Sequence, residues 1–276
     1  MKPRLGLALV IPALAFVLNA CNKPAGPQPV TVTPVTVTPA TKDDNASEAK
    51  PGATADSKAI VPAATNSSRQ VLVFRNVRSW NRKMDFEEAL TNMAFEFEVK
   101  SSAKMGQTEL APYLFVIIPG AQWRDNFYRD YAENEARFER YVTNGGTLLL
   151  ELNGAENDGI LLPGGLSLVK HGARINAITM PDHPIVEPLA GRPIHASYAS
   201  HGYLVDVPKG ALVLMTEMNG EQPVLEKPTF VEYVHGKGRV IAACQCFHDQ
   251  DGSQRGPLMA TALSYAAERD WFSPKK

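Results

Sequence analysis

The chain has 276 residues, 44% of them hydrophobic and 21% charged, with a formal net charge of -1. That is ordinary for a globular protein with room for one good-sized core. It gives no basic face of the kind nucleic acid requires, so no nucleic-acid partner is expected.

In chain order the first segment, residues 1–20, reads as a signal peptide. Lys2 and Arg4 supply a positive start, and Leu5 to Leu18 is an apolar stretch broken only by Gly6 and Pro12. That stretch is too short for a comfortable membrane span of about 20 residues. It ends Leu18-Asn19-Ala20-Cys21. The ending resembles the lipobox of bacterial lipoproteins, although Asn19 is an unusual occupant of its position. The resemblance implies cleavage before Cys21, acylation of its thiol and of the new amine, and a partner in the membrane itself. Each buried methylene adds about 0.8 kcal/mol, so two or three chains anchor firmly where one would not. The alternative is an ordinary secretory signal followed by a chance cysteine. Asn22, in place of Asp, points within that resemblance to the periplasmic face of an outer membrane where two membranes exist.

Residues 21–68 hold the cysteine and a tether. A Pro-Val-Thr-Val-Thr unit repeats from Pro29, and residues 22–68 contain no aromatic residue and no Leu. Regular proline blocks helix, and so little apolar surface cannot offset ordering entropy. Such a spacer would reach roughly 140 Å if polyproline-like and about 40 Å as a coil.

Residues 69–276 read as one α/β domain. Val71 to Phe74 is a buried-strand run, followed by a polar loop from Arg75 to Arg82. Asp85 to Met93 has helical spacing, and Phe95 to Val99 alternates as a strand. Tyr113 to Ile118 is a second buried strand, stopped by Pro119-Gly120. Asn126 to Val142 has helical spacing through Phe127, Tyr131 and Phe138. Asn144-Gly145-Gly146 caps that helix, and Thr147 to Leu152 is a third apolar strand. This order predicts a mostly parallel, doubly wound, flavodoxin-like sheet with helices on both faces. The second half reads as a strand-rich insertion, with strands at 204–207, 211–216, Val224 and 230–234. Gly236-Lys237-Gly238 then turns into a last buried strand, 239–244, and Pro257 to Glu268 closes the chain as a helix.

Three phrases resemble class I glutamine-amidotransferase-like domains, the ThuA-like and non-catalytic members above all. They are the run from Phe138 to Leu150, Asp182-His183-Pro184-Ile185, and the run from Phe230 to Ile241. The resemblance spans roughly residues 70–268. It implies a nucleophilic cysteine on the sharp turn after the third parallel strand, activated by a histidine after a later strand. The turn here is Leu152-Asn153-Gly154-Ala155-Glu156, with neither Cys nor Ser. Hydrolysis of glutamine by the family mechanism is therefore not expected. The histidine side is partly kept in Gln245-Cys246-Phe247-His248-Asp249, which resembles the family's Gln-Phe-His-Pro-Glu.

Candidate ligand residues are those expected at the carboxyl ends of the strands, where doubly wound sheets bind ligands. They are Trp80 and Arg82, Gln122 and Trp123, Asn153 and Glu156, and His248. His201 would enter from the strand-rich half. Tryptophan with Arg, Asn and a carboxylate suits a sugar; the plainer reading has the tryptophans merely covering helix starts and His201 structural. Asp182 and His183 are expected to organise a turn. Cys244, Cys246 and His248 share a strand face, but their spacing is not a usual zinc spacing, so no metal and no cofactor is expected. Cys244 is expected as a core residue, with a strained Cys244–Cys246 disulfide as the alternative. Three functions follow: a tethered binder of a sugar, glycan or envelope protein; a ThuA-like carbohydrate enzyme using His248 and Asp249 with Glu156 or Asp158; or an envelope scaffold.

Overall fold

The computed structural model describes residues 70–79, 83–123, 126–153, 160–247 and 256–268. Five strands run parallel in the order β2-β1-β3-β4-β9: β1 (Gln70–Phe74), β2 (Glu96–Lys100), β3 (Val116–Ile118), β4 (Thr147–Glu151) and β9 (Gly238–Ala243). This is the flavodoxin-like order, and it bears out the expected class. The central strands are continuous apolar runs because both of their faces are covered. Alternate residues serve opposite faces. Leu72, Phe74, Val116, Ile118, Leu148 and Leu150 pack with α2 (Phe127–Glu133) and α3 (Glu135–Thr143). Val71, Val73, Ile117 and Leu149 pack with α1 (Asp85–Asn92) and α4 (Gly256–Ala267). None of the described helices is long and apolar enough to cross a membrane.

The single helix expected over 126–142 is two. Asn134 leaves helical geometry, its amide Nδ2 donating to the Asp130 carbonyl at 2.8 Å. Asparagine competes for backbone partners in this way, and helical spacing alone does not register it.

The insertion is larger than expected. Between β4 and β9 lie β5 (Ser167–Ile178), β6 (Ile194–Val205), β7 (Leu212–Asn219) and β8 (Gln222–His235), all paired antiparallel. They extend the same sheet through β8, which pairs antiparallel with β9. Neither β5 nor the greater part of β6 is expected from the sequence, which marks only the end of β6 from Leu204. Bulges between Lys170 and Ile175 shift the inward-facing register, so period two is lost along the strand. β6 also approaches β8, although β5 and β7 lie between them in pairing order, so this half of the sheet curls.

The lower end of the sheet is locked by glycines. Lys237 N donates to Thr143 O at 3.0 Å, and Arg239 N to Gly146 O at 3.1 Å. A methyl at Gly238 would overlap the backbone carbonyl oxygens of Val142 and Gly146. Gly236 has a φ of +61° and lies against the Thr143 backbone. The Asn-Gly-Gly cap of α3 and the Gly-Lys-Gly turn before β9 are thus two halves of one close backbone contact.

Candidate functional site

Ligands of open α/β sheets sit at the carboxyl ends of the strands, at the point where strand order reverses. Here that point lies between β1 and β3, and the side chain of Gln122 fills it. Its Oε1 accepts the N–H groups of Asn76 (2.8 Å) and Val77 (3.1 Å). Its Nε2 donates to Val77 O (2.9 Å) and Gly120 O (3.0 Å). A paired set of backbone N–H groups is the usual cradle for an oxyanion. An internal amide oxygen occupies that cradle, and Gln122 is 0% exposed. The neighbouring gap is closed too. Asn76 Nδ2 donates to Ser102 Oγ at 2.7 Å, and Ser102 Oγ donates to Asp130 at 2.6 Å. Behind them a buried ion pair, Arg75 Nε to Glu87 Oε1 at 2.7 Å, ties the end of β1 to α1.

The unsatisfied polar groups lie one step along, above β4 and β9. Glu151, the last residue of β4, is buried. Its carboxylate accepts Gly120 N at 3.0 Å and Phe247 N at 2.8 Å, clamping the β3 and β9 loops together. Two N–H donors suit the ionised form of a buried carboxylate. Asn153 follows on the turn where the resemblance calls for a nucleophile. It is 0% exposed, donates through Nδ2 to Cys246 Sγ, and its Oδ1 has no partner. Its carbonyl holds Ala121 N at 2.7 Å, and Ala121 takes a φ of +62°. A side chain at Gly120 would overlap Asn153 Oδ1, so glycine there is a packing requirement. Beside this turn Gln245 donates through Nε2 to Met215 Sδ at 3.0 Å, a weak acceptor, while Gln245 Oε1 is unpartnered. Thr229 Oγ1 and Thr216 Oγ1, on β8 and β7, are likewise buried without partners. Each such group costs about 1–3 kcal/mol. Uncharged hydrogen-bonding groups left over in this way are what a hydroxyl-rich ligand or bound water satisfies.

Cys244 and Cys246 are both buried and form no disulfide, so the disulfide alternative is not realised. Burial pushes the Cys244 thiol far above its ordinary range, so it stays protonated and is no nucleophile. Cys244 N donates to Thr229 O, and Cys244 O accepts His201 N, both at 2.8 Å. The curled half of the sheet is therefore stitched to the end of β9.

Of the residues singled out in the sequence, Gln122 and Asn153 meet at Gly120, both facing protein. Trp123 is half-buried on the same loop. His201 is half-buried and stacked on Tyr198, ring centroids 5.1 Å apart. Trp80, Arg82, Glu156, Asp158, His248, Asp249 and Cys21 lie outside the described residues. In the chain, Trp80 and Arg82 follow β1, Gln122 and Trp123 follow β3, Asn153 and Glu156 follow β4, and His248 and Asp249 follow β9. Those four strands are adjacent in the sheet. Glu151 is not among the residues singled out in the sequence, and Gln245 stands there only as part of the phrase Gln245-Cys246-Phe247-His248-Asp249. Glu151 left a signal, a lone carboxylate at the end of the run Leu148-Leu149-Leu150.

The phrases that carry the resemblance are structural. His183 Nδ1 accepts Ile185 N at 3.3 Å, so Nε2 carries the proton it donates to Glu232 at 2.8 Å. Glu232 also accepts the Tyr265 hydroxyl at 3.0 Å and faces Arg239 Nη1 at 3.6 Å. Arg239 is 0% exposed, stacks on the Tyr265 ring at 4.4 Å and donates to Tyr265 O at 2.6 Å. One buried network thus joins the His-Pro-Ile loop, β8, β9 and α4. His183 organises its turn and is a member of this network as well.

The architecture defines a doubly wound α/β domain with an antiparallel insertion. Among solved structures it is similar to a cytoplasmic protein of Salmonella typhimurium LT2, at 15% identity and TM-score 0.46, over 72% of this chain and 100% of that one. It is similar to a glutamine amidotransferase of Thermotoga maritima, at 14% identity and TM-score 0.45, over 73% of this chain and 90% of that one. It is also similar to a ThuA-like protein of Parabacteroides merdae, at 16% identity and TM-score 0.41, over 72% and 88%. No family model and no curated protein matches the sequence. With identities and scores this low, the fold class rests on the strand order itself.

Proposed function

We propose that this chain is a lipid-anchored envelope protein whose domain binds a polar, hydroxyl-rich ligand of the sugar or glycan class without hydrolysing glutamine. The observation that carries the reading is Asn153: it stands on the turn after β4, buried against Gly120 and Cys246, with its Oδ1 unpartnered. An amide there accepts and donates hydrogen bonds but forms no acyl intermediate. Gln245 and Thr229 add uncharged groups of the same kind. The anchor is read from Cys21 at the end of the apolar leader, and the tether lets the domain work at a distance from the membrane.

The test is thermal unfolding of the full chain against a panel of neutral glycans, with product analysis of each mixture. The reading predicts a saturable rise in Tm for at least one glycan, with that glycan recovered intact and glutamine unconsumed. A flat panel, or conversion of glutamine to glutamate, contradicts it. Cleavage of a glycan, abolished by His248→Ala with the fold intact, favours the carbohydrate-enzyme reading instead. The anchor has its own test: Cys21→Ser releases the protein from membranes, and a variant that stays in the membrane pellet contradicts acylation at that cysteine.

A further inference from the structure

At the opposite end of the sheet, below the amino ends of β3, β4 and β9, lies a cleft of about 530 Å³. That is within the usual range for small-molecule sites. Three cations line it: Arg137 and Arg140 from α3, and Lys237 from the turn before β9. Glu109 is the one acid among its lining residues, and its Oε1 is turned to Ala111 N at 3.3 Å. None of the three cations forms an ion pair with a described residue, in a fold that pairs Arg75, Arg129, Lys100, Lys227 and Arg239. Arg137 donates through Nη2 to Thr108 O at 2.6 Å, which fixes its guanidinium, while its Nε is shielded from solvent without a partner.

The cleft lies at the carboxyl end of α3, where a helix dipole would repel an anion. Here that end is neutralised. The last four carbonyls of the helix, those of Arg140, Tyr141, Val142 and Thr143, accept the N–H groups of Asn144, Gly146, Gly145 and Lys237 in turn. The unspent positive charge of the side chains therefore governs the cleft. A guanidinium held by one hydrogen bond, with a second guanidinium and an ammonium beside it, is the donor set that recognises phosphate oxygens.

We propose that this cleft is a binding site for phosphate groups, separate from the crest at the other end of the strands. The phosphate comes from a soluble phosphorylated ligand or from a lipid headgroup, and the chemistry is the same for both.

The experiment is calorimetric titration of the full chain, in an uncharged detergent at low salt, with inorganic pyrophosphate. It is paired with co-sedimentation on phosphatidylglycerol and phosphatidylcholine vesicles. The variant is the double substitution Arg140→Ala with Lys237→Ala, both exposed, with Arg137→Lys as a second. Saturable, salt-weakened pyrophosphate binding that falls about tenfold or more in the double variant identifies a soluble phosphate ligand. An excess of binding to phosphatidylglycerol that the double variant loses, without pyrophosphate binding, identifies a headgroup; the anchor acts equally in both proteins and cancels. Arg137→Lys, which keeps the charge but loses the fork, weakens either signal. Absence of both signals, or signals unchanged in the double variant while its melting curve matches the parent, overturns the proposal.

Discussion

The buried network around Glu232 makes the sharpest prediction about what holds the fold together. Its carboxylate accepts two hydrogen bonds, from His183 and Tyr265, and faces a guanidinium with no solvent exposure. Glu232→Leu removes one side of a buried ion pair, a change that costs about 3–5 kcal/mol. Glu232→Gln keeps the shape and one acceptor while losing the charge. Its cost is that of an imperfectly satisfied polar group, about 1–3 kcal/mol. Against a typical stability of about 5–15 kcal/mol, the leucine variant stands near the limit of folding and the glutamine variant does not. Urea unfolding followed by far-ultraviolet circular dichroism measures both, and a His183→Ala, Glu232→Gln double-mutant cycle isolates the His183 coupling. A leucine variant that loses less than about 1 kcal/mol would show that the network does not hold these elements together, because a desolvated guanidinium cannot lose its carboxylate at no cost.

Three further outcomes are expected. Gly238→Ala forces a methyl onto the carbonyls of Val142 and Gly146, which are backbone and cannot swing aside; Tm should fall by roughly 5 °C or more, and an unchanged Tm would show that the α3–β9 contact is loose. Burial, with the Glu232 carboxylate nearby, raises the Tyr265 phenol from near 10 to about 12. A raised folded pKa stabilises the native state below the unfolded pKa, so this contribution is full below about pH 10 and is lost as the pH rises to about 12. Chemical denaturation across that window should show the decline, and Tyr265→Phe should lessen it, the buried phenols of Tyr131 and Tyr233 keeping their own share. Cys244 and Cys246 are buried thiols outside any disulfide, so a thiol reagent should label neither in the native protein and both after unfolding. The chain has 3 cysteines, so a third thiol in the unfolded mature protein would argue against acylation of Cys21.

The parallel half of the domain was legible because strands covered on both faces leave unbroken apolar runs, as at 71–74, 147–152 and 239–244. β5 was not, because its bulges destroy the alternation that marks a half-exposed strand. The break at Asn134 was invisible to spacing, since the apolar stripe continues across it from Tyr131 to Phe138, whose rings stack 4.9 Å apart. At the crest, Gln122 and Asn153 could be found because a turn after a buried strand has only one place to go. Their burial could not. It depends on partners far along the chain, Asn76 for Gln122 and Cys246 for Asn153. The basic cleft was illegible for the same reason: Arg137, Arg140 and Lys237 come together only once the α3 cap closes on the turn before β9.

Amide NMR of the full chain, titrated with a pool of neutral oligosaccharides, asks whether a ligand binds above β4 and β9. Saturable shifts are expected at the backbone amides of Gly120, Ala121 and Phe247 and at the side-chain amides of Asn153 and Gln245. Shifts confined to other surfaces, or none at concentrations that saturate ordinary glycan-binding domains, would contradict a ligand site above β4 and β9.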